Sequence, residues 1–277
     1  MMSKFILALF HKLKLERMIK MSHFSVAVFT DEDTTVEDLL EPYWEGLEVE
    51  KYVYKTKKEL IEYGKGEIRY FLKVFRRYMK DKKRFRREHK NNINYLRFVK
   101  KIPLMKKWDN EKIYKFSIRY YSPEDIGENG EVYSTYNQNS KWDWYEVGGR
   151  WKEMLIDKDG NKTNSALIKD IDWNAMKKEN EQSLPPYEKY LKSSFYSKEY
   201  MKKIYPNEDE YKRKMLKFQT YAALMPDGEW LEPGTMGWWG ISSATPEQES
   251  KFIDDYEENI LKKVDKDWRL TIVDCHI

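Results

Sequence analysis

The chain has 277 residues, 40% hydrophobic and 35% charged, with a formal net charge of +4. That length allows one large domain or two small ones with a substantial core, and the composition suits a soluble globular protein. Its single cysteine, Cys275, excludes an intrachain disulfide framework and fits a reducing compartment. The apolar run Phe5 to Phe10 is too short to cross a bilayer and lacks a small-residue cleavage site, so a cytoplasmic protein is expected.

The modest net charge conceals a partition. Lys51 to Lys115 carries 23 basic and 7 acidic side chains, a surplus of +16, which leaves −12 for the remainder. A basic lobe on an acidic body points to an anionic partner: nucleic acid, a nucleotide or an acidic protein. Aromatic residues make up 16% of the chain, with 10 Trp and 21 Tyr. Such rings serve cores, interfaces and stacking sites alike, and a Trp-heavy core accounts for most of them.

In chain order, residues 1–20 read as a basic amphipathic extension outside the fold, with Met18 and Met21 as alternative starts. His23 to Thr30 alternates Phe24, Val26 and Val28 against Ser25 and Ala27, predicting a strand with one packed face. Thr34 with Glu37 reads as a capping box opening a short helix through Leu39 and Leu40. From Lys51 an insertion begins. Ile68, Phe71, Leu72, Phe75 and Met79 recur at helical spacing, with Gly64 and Gly66 expected to delay the helix start. Lys80 to Lys90 reads as a solvated helix end or loop, and Asp109 caps a further helix that stops before Pro123.

Beyond the insertion, Trp142 and Trp144 alternate with Asp143 and Tyr145 in a strand. Gly148-Gly149 permits a tight turn or bulge, and Arg150 to Ile156 reads as extended. Met176 to Lys217 reads as a polar helical connector broken at Pro185-Pro186. Phe218 to Met225, a Pro226-Asp227-Gly228 turn and Glu229 onward form a hairpin. Thr245-Pro246 with Gln248 opens a helix whose Phe252, Ile253, Tyr256, Ile260 and Leu261 face the core. Trp268 to Ile277 is the last strand. This order predicts an α+β protein with a ferredoxin-like antiparallel sheet core and helical insertions. Residues 21–50 and 130–277 would form the core domain, and 51–129 the basic helical insertion.

Five separated segments carry a resemblance: Met21-Ser22-His23-Phe24, Tyr136 to Tyr145, Gly148-Gly149-Arg150-Trp151, Met236-Gly237-Trp238-Trp239-Gly240 and Asp274-Cys275-His276-Ile277. Together they resemble a family of uncharacterised proteins of tailed phages and prophages, over Met21 to Ile277. Glu146 departs from the glutamine that relatives often carry. The resemblance transfers no catalytic residues. It implies a phage accessory context, and with it interference with a host or defence-related component.

Four constellations are candidates for chemistry. His23, Asp274 and His276 supply two imidazoles and a carboxylate, a donor set suited to a divalent metal if the terminal strands pair, or else hydrogen-bonded caps on a sheet end. Cys275 alternates away from His276 and reads as a small buried hydrophobe. Gly148, Gly149 and Arg150 beside Trp142, Trp144 and Trp151 could cradle an anion and stack a base. The alternative there is a glycine bulge with Arg150 paired to Asp143 or Glu146 and the rings in the core. Trp238 and Trp239 point to opposite faces of an extended segment, and Trp238 is assigned to the same ligand hollow. Arg76, Arg77, Lys83, Arg84, Arg86 and Arg87 would attract phosphates, or form a solvated face.

The resulting expectation is a non-enzymatic accessory protein, without cofactor and not bound to membrane. It would bind a host or defence protein or sequester an anionic nucleotide signal, and self-associate as a homo-oligomer in the host cytoplasm. Its rivals are a metal-assisted hydrolase using His23, Asp274 and His276, and a nucleic-acid binder using the insertion.

Overall fold

The computed structural model describes residues 23–194, 196–237 and 240–277. It divides into two compact units, one ending at Leu47 and resuming over Asn137–Ile277, the other spanning Glu48–Tyr136. The second unit is slightly wider than the expected 51–129 because strands Tyr52–Lys55 and Val132–Ser134 pair within it. The 1–20 extension and Trp238 lie outside the described residues. Among the described residues no helix is long and apolar enough to cross a membrane.

The first unit is built on a sheet whose strands are β1 (His23–Thr30), β2 (Trp144–Val147), β3 (Ser165–Leu167), β4 (Ala222–Leu224), β5 (Trp230–Leu231) and β6 (Arg269–His276). Their order is β2-β6-β1-β4-β5, with β3 also on β6, beside the other end of the strand. The first and last described strands therefore meet. β1 and β6 pair antiparallel from His23↔His276 to Thr30↔Arg269. The sheet is mixed rather than antiparallel throughout, because β4 runs parallel to β1. The hairpin Ala222–Leu231 enters with its first strand against β1, so the intervening chain makes a crossover.

The expectation of one packed face on β1 is corrected. Every residue from Phe24 to Thr30 is buried, so the alternation of sequence separates two cores rather than core from solvent. One face, with Phe24, Val26, Val28, Val273 and Cys275, packs under Leu39, Leu40 and Trp142. The other, with Ala27, Phe29, Leu270 and Ile272, packs under Tyr256, Ile260 and Met176. Helix α1 (Val36–Leu40) is capped by Thr35 with Asp38 rather than Thr34 with Glu37. Thr34 instead donates its hydroxyl to Asp31. Helix α2 (Pro246–Tyr256) has the anticipated Thr245–Gln248 box with Pro246 in its first turn.

The expected polar helical connector holds four helices, Trp173–Ser183, Tyr187–Ser193, Lys198–Ile204 and Glu208–Met215, with its break at Pro185-Pro186. The last three, with α2, close a tyrosine-rich core of their own around Leu191, Met201, Ile204, Tyr205 and Tyr211. At its edge Lys214, only 2% exposed, is paired with Asp254 at 3.1 Å.

In the second unit the helix Lys57–Lys80 starts at a Thr56–Glu59 capping box and is not delayed by its glycines. Gly64 is buried where a Cβ would lie 2.2 Å from the Ser117 hydroxyl, so its absence of side chain permits helix–helix contact. That contact turns the buried stripe to Leu60, Gly64, Ile68, Val74 and Tyr78, leaving Met79 exposed. The run Lys80 to Lys90, expected as a solvated helix end or a loop, contains a helix of its own, Lys82–Glu88, anchored by buried Phe85.

Burial pushes the Asp254 carboxyl up, but hydrogen bonds and charges from Arg213 and Lys214 outweigh it and hold it below the usual range. A depressed carboxyl stabilises above its unfolded pKa, and that contribution is lost in acid as pH falls through its lower folded value. Asp254→Asn should cost about 3 kcal/mol at neutral pH by removing the counter-charge of buried Lys214, which keeps only neutral partners such as the Ser250 hydroxyl. Denaturant unfolding of both forms across this acid range should show the difference shrinking as pH falls.

Candidate functional site

The end-to-end pairing of β1 and β6 sets the site. On one face the rows run Phe29/Leu270, Ala27/Ile272, Ser25/Asp274 and His23/His276, so an apolar core grades into a polar end. β2 extends that end, with Trp144 opposite His276 and Glu146 opposite Asp274. Two histidine–aspartate pairs result. His23 Nδ1 lies 2.8 Å from Asp274 Oδ1, with side chains only 5% and 2% exposed. His276 Nδ1 lies 2.7 Å from Asp143 Oδ1 in a more open setting. An ionised carboxylate only accepts, so both imidazoles carry the proton on Nδ1 and turn Nε2 away from their aspartate.

The pairs form one cluster. The His23 and His276 ring centroids are 5.0 Å apart and edge-on. Trp144, 43% exposed, stacks within 18° of parallel on His276 and stands edge-on to His23. His23 Nε2 is buried and has no hydrogen-bond partner among the described residues. Buried nitrogens rarely go unsatisfied.

The Gly148-Gly149-Arg150 turn closes the cluster from the side. Gly148 and Gly149 have φ of +80° and +46°, and a Cβ on Gly149 would lie 2.4 Å from Asp274 Cβ. Conformation and space both demand glycine there. The close approach lets the Arg150 amide donate to Asp274 Oδ2 at 2.9 Å. The Arg150 side chain is exposed. Gly149–Trp151 is a 3-10 turn, so the predicted extended run from Arg150 shrinks to Leu155–Ile156.

Of the four tryptophans expected around one hollow, Trp238 lies outside the described residues and Trp142 does not join Trp144. Trp142 is buried on the opposite face, donates its indole N–H to the Leu40 carbonyl at 3.1 Å and packs edge-on against Tyr145. The strand alternation is reset at Asp143, a bend whose Oδ1 accepts from the Trp144 amide as well as pairing with His276. Trp151 packs against the core on the His23 side. Of the predicted ligand residues, Trp144, Arg150 and the two glycines therefore share a locality and Trp142 does not.

His23, Asp274 and His276 do come together, but as hydrogen-bonded pairs. Both Asp274 oxygens accept, one near His23 and one from the Arg150 amide. Among the described residues no group of three or more His, Cys, Asp or Glu side chains is arranged to hold a metal ion. Cys275 lies on the far face in the apolar core, and burial pushes its thiol well up, so it is no nucleophile.

Sequence reasoning missed Asp143 as the partner of His276, since regular alternation would turn it away. It also missed Asn137, whose side chain donates to the Pro42 and Trp44 carbonyls at 2.8 and 3.0 Å. Asn137 pins the two chain passages that border the insertion, which gives the Tyr136 to Tyr145 motif a structural reason.

In the second unit Arg76, Arg77, Lys83 and Arg87 are exposed. Arg84 is tied to Glu88 and Arg86 to the Tyr78 hydroxyl. Phe71, Phe75, Tyr78 and Phe85 are spent on the local core, leaving Tyr70 as the exposed ring of that face.

No protein-family model, curated protein or solved structure matches this chain.

Gly149→Ala should cost about 2 kcal/mol or more, through its positive φ and the clash with Asp274. Nitrogen NMR of the native protein above the imidazole titration range should show His23 and His276 protonated on Nδ1. Asp274→Asn should alter the His23 signals and leave those of His276 largely in place.

Proposed function

We propose that the chain is an accessory binding protein of phage or prophage context that captures a host or defence-related target, with an anionic nucleotide as its ligand. The observation that carries this reading is the half-exposed indole of Trp144, stacked on a His276 ring locked by Asp143. A rigid aromatic platform of that kind suits a planar base, because every base has a π-face. Arg150, exposed on a turn whose amide is anchored to Asp274, would supply the cation for phosphate. The five motifs of the phage family resemblance support the context, and four of them contribute residues to this sheet end or border it. The same reading takes the paired terminal strands with an adjoining hairpin as a ferredoxin-like variant, and places the protein in the host cytoplasm as a homo-oligomer.

A second reading, nucleic-acid binding by the insertion, is favoured by the exposed cations Arg76, Arg77, Lys83 and Arg87. The burial of the neighbouring rings argues that such binding would be electrostatic and steeply salt-dependent, without base stacking.

Calorimetry against mono-, di- and cyclic nucleotides should show saturable binding to the native protein. Trp144→Ala should weaken it by about 5- to 150-fold, the range expected for one lost stacking contact. Arg150→Ala should weaken it further for ligands with more phosphate charge. If no nucleotide saturates the protein, the ligand reading fails and a protein partner remains.

A further inference from the structure

A cavity lies within the first unit, away from the histidine cluster. Its volume is about 560 Å³, within the range of small-molecule sites. Ile168, Trp173, Met176, Leu216, Phe218 and Leu261 form an apolar lining, with Trp173 and Phe218 meeting edge-on at 5.3 Å. At the polar margin stand Lys177, Arg213, Lys217 and Lys262 against a single carboxylate, Glu257.

The wall that carries Glu257, Leu261 and Lys262 is unusual. Past α2 the helix widens into a π-helical turn, Glu257–Leu261, closed by the Lys262 amide donating to the Glu257 carbonyl at 2.9 Å. Such turns occur mostly where an inserted residue serves a site. Here the widened turn and the residue that closes it bring Glu257, Leu261 and Lys262 onto one cavity.

The cations at the margin differ in how far they are committed. Arg213 is held by Glu210 and Asp254, and Lys217 lies 3.4 Å from Glu257. Lys262 pairs with Glu258 one turn back. Lys177 is exposed and has no ion partner among the described residues. An apolar body would cover the partly exposed Trp173 ring beside buried Phe218, while an acidic head would find Lys177 and Lys262 at the edge.

We propose that this cavity binds a small amphipathic anion, an aliphatic or aromatic carboxylate whose apolar body lies against Trp173, Phe218 and Met176. Charge complementarity selects the acid over a neutral or cationic analogue of the same shape. This site is independent of the nucleotide reading, since none of its lining residues belongs to the histidine cluster.

The test uses the full chain with decanoate and naphthylacetate as probes, and naphthylacetamide as the uncharged isostere. Calorimetry should show one-to-one saturable binding of both acids, with the amide about tenfold weaker or more. Lys177→Glu and Lys262→Glu, both at exposed positions, should together weaken the acids by about tenfold or more while leaving the melting temperature near that of the native protein. Quenching of indole fluorescence by naphthylacetate should diminish in Trp173→Phe. Trp144→Ala should leave acid binding unchanged, which separates this site from the nucleotide platform. Failure of the acids to saturate, equal binding of the amide, or indifference to the lysine reversals would overturn the proposal.

Discussion

The pairing of β1 with β6 is the constraint on which the first unit depends. Eight consecutive residue pairs join the first and last described strands, and both faces of the resulting ribbon are buried. Side chains alternate with a period of two, so a slip of one residue would carry His23 and Asp274 to opposite faces and drive the polar end into the apolar core. Two cores of different composition, one on each side, specify the register from both directions. The chemistry at the sheet end is thus held by the same packing that holds the fold.

That sheet end tolerates a buried carboxylate because its oxygens are accounted for. Asp274 is met by His23 on one side and by the Arg150 amide on the other. A buried charge without such partners would be strongly destabilising. The Gly148-Gly149 turn is the device that brings a backbone amide close enough, at the cost of two positive-φ positions. Among the described residues His23 Nε2 has no hydrogen-bond partner, and the Trp144 ring is partly exposed. Packing has fixed one histidine pair in the interior and left its neighbour, with a stacked indole, at the surface.

The charge partition has a separate physical origin. In the second unit aromatic residues and branched aliphatics close a helical core, while the basic side chains stand on the opposite faces of the same helices. The surplus of positive charge is therefore a surface property of a folded module rather than a disordered tail. The first unit carries its acidic balance alongside a cavity whose margin is locally basic, so net charge alone would have pointed away from an anion site there.

The sequence by itself determined the strands at both termini, the Pro226-Asp227-Gly228 hairpin, the Thr245–Gln248 cap and the existence of a basic helical insertion, because each rests on local periodicity or turn chemistry. It also brought His23, Asp274 and His276 into one neighbourhood, since strand alternation needs only the assumption that the ends pair. Only the tertiary structure decided which face Trp142 occupies, since the bend at Asp143 resets an alternation that looked regular. The partner of His276, the packing role of Gly64, the two-sided burial of β1 and the cavity beside the π-helical turn were likewise decided there. Each of these depends on what lies across space from a residue, and neighbours in space leave no periodic trace along a chain.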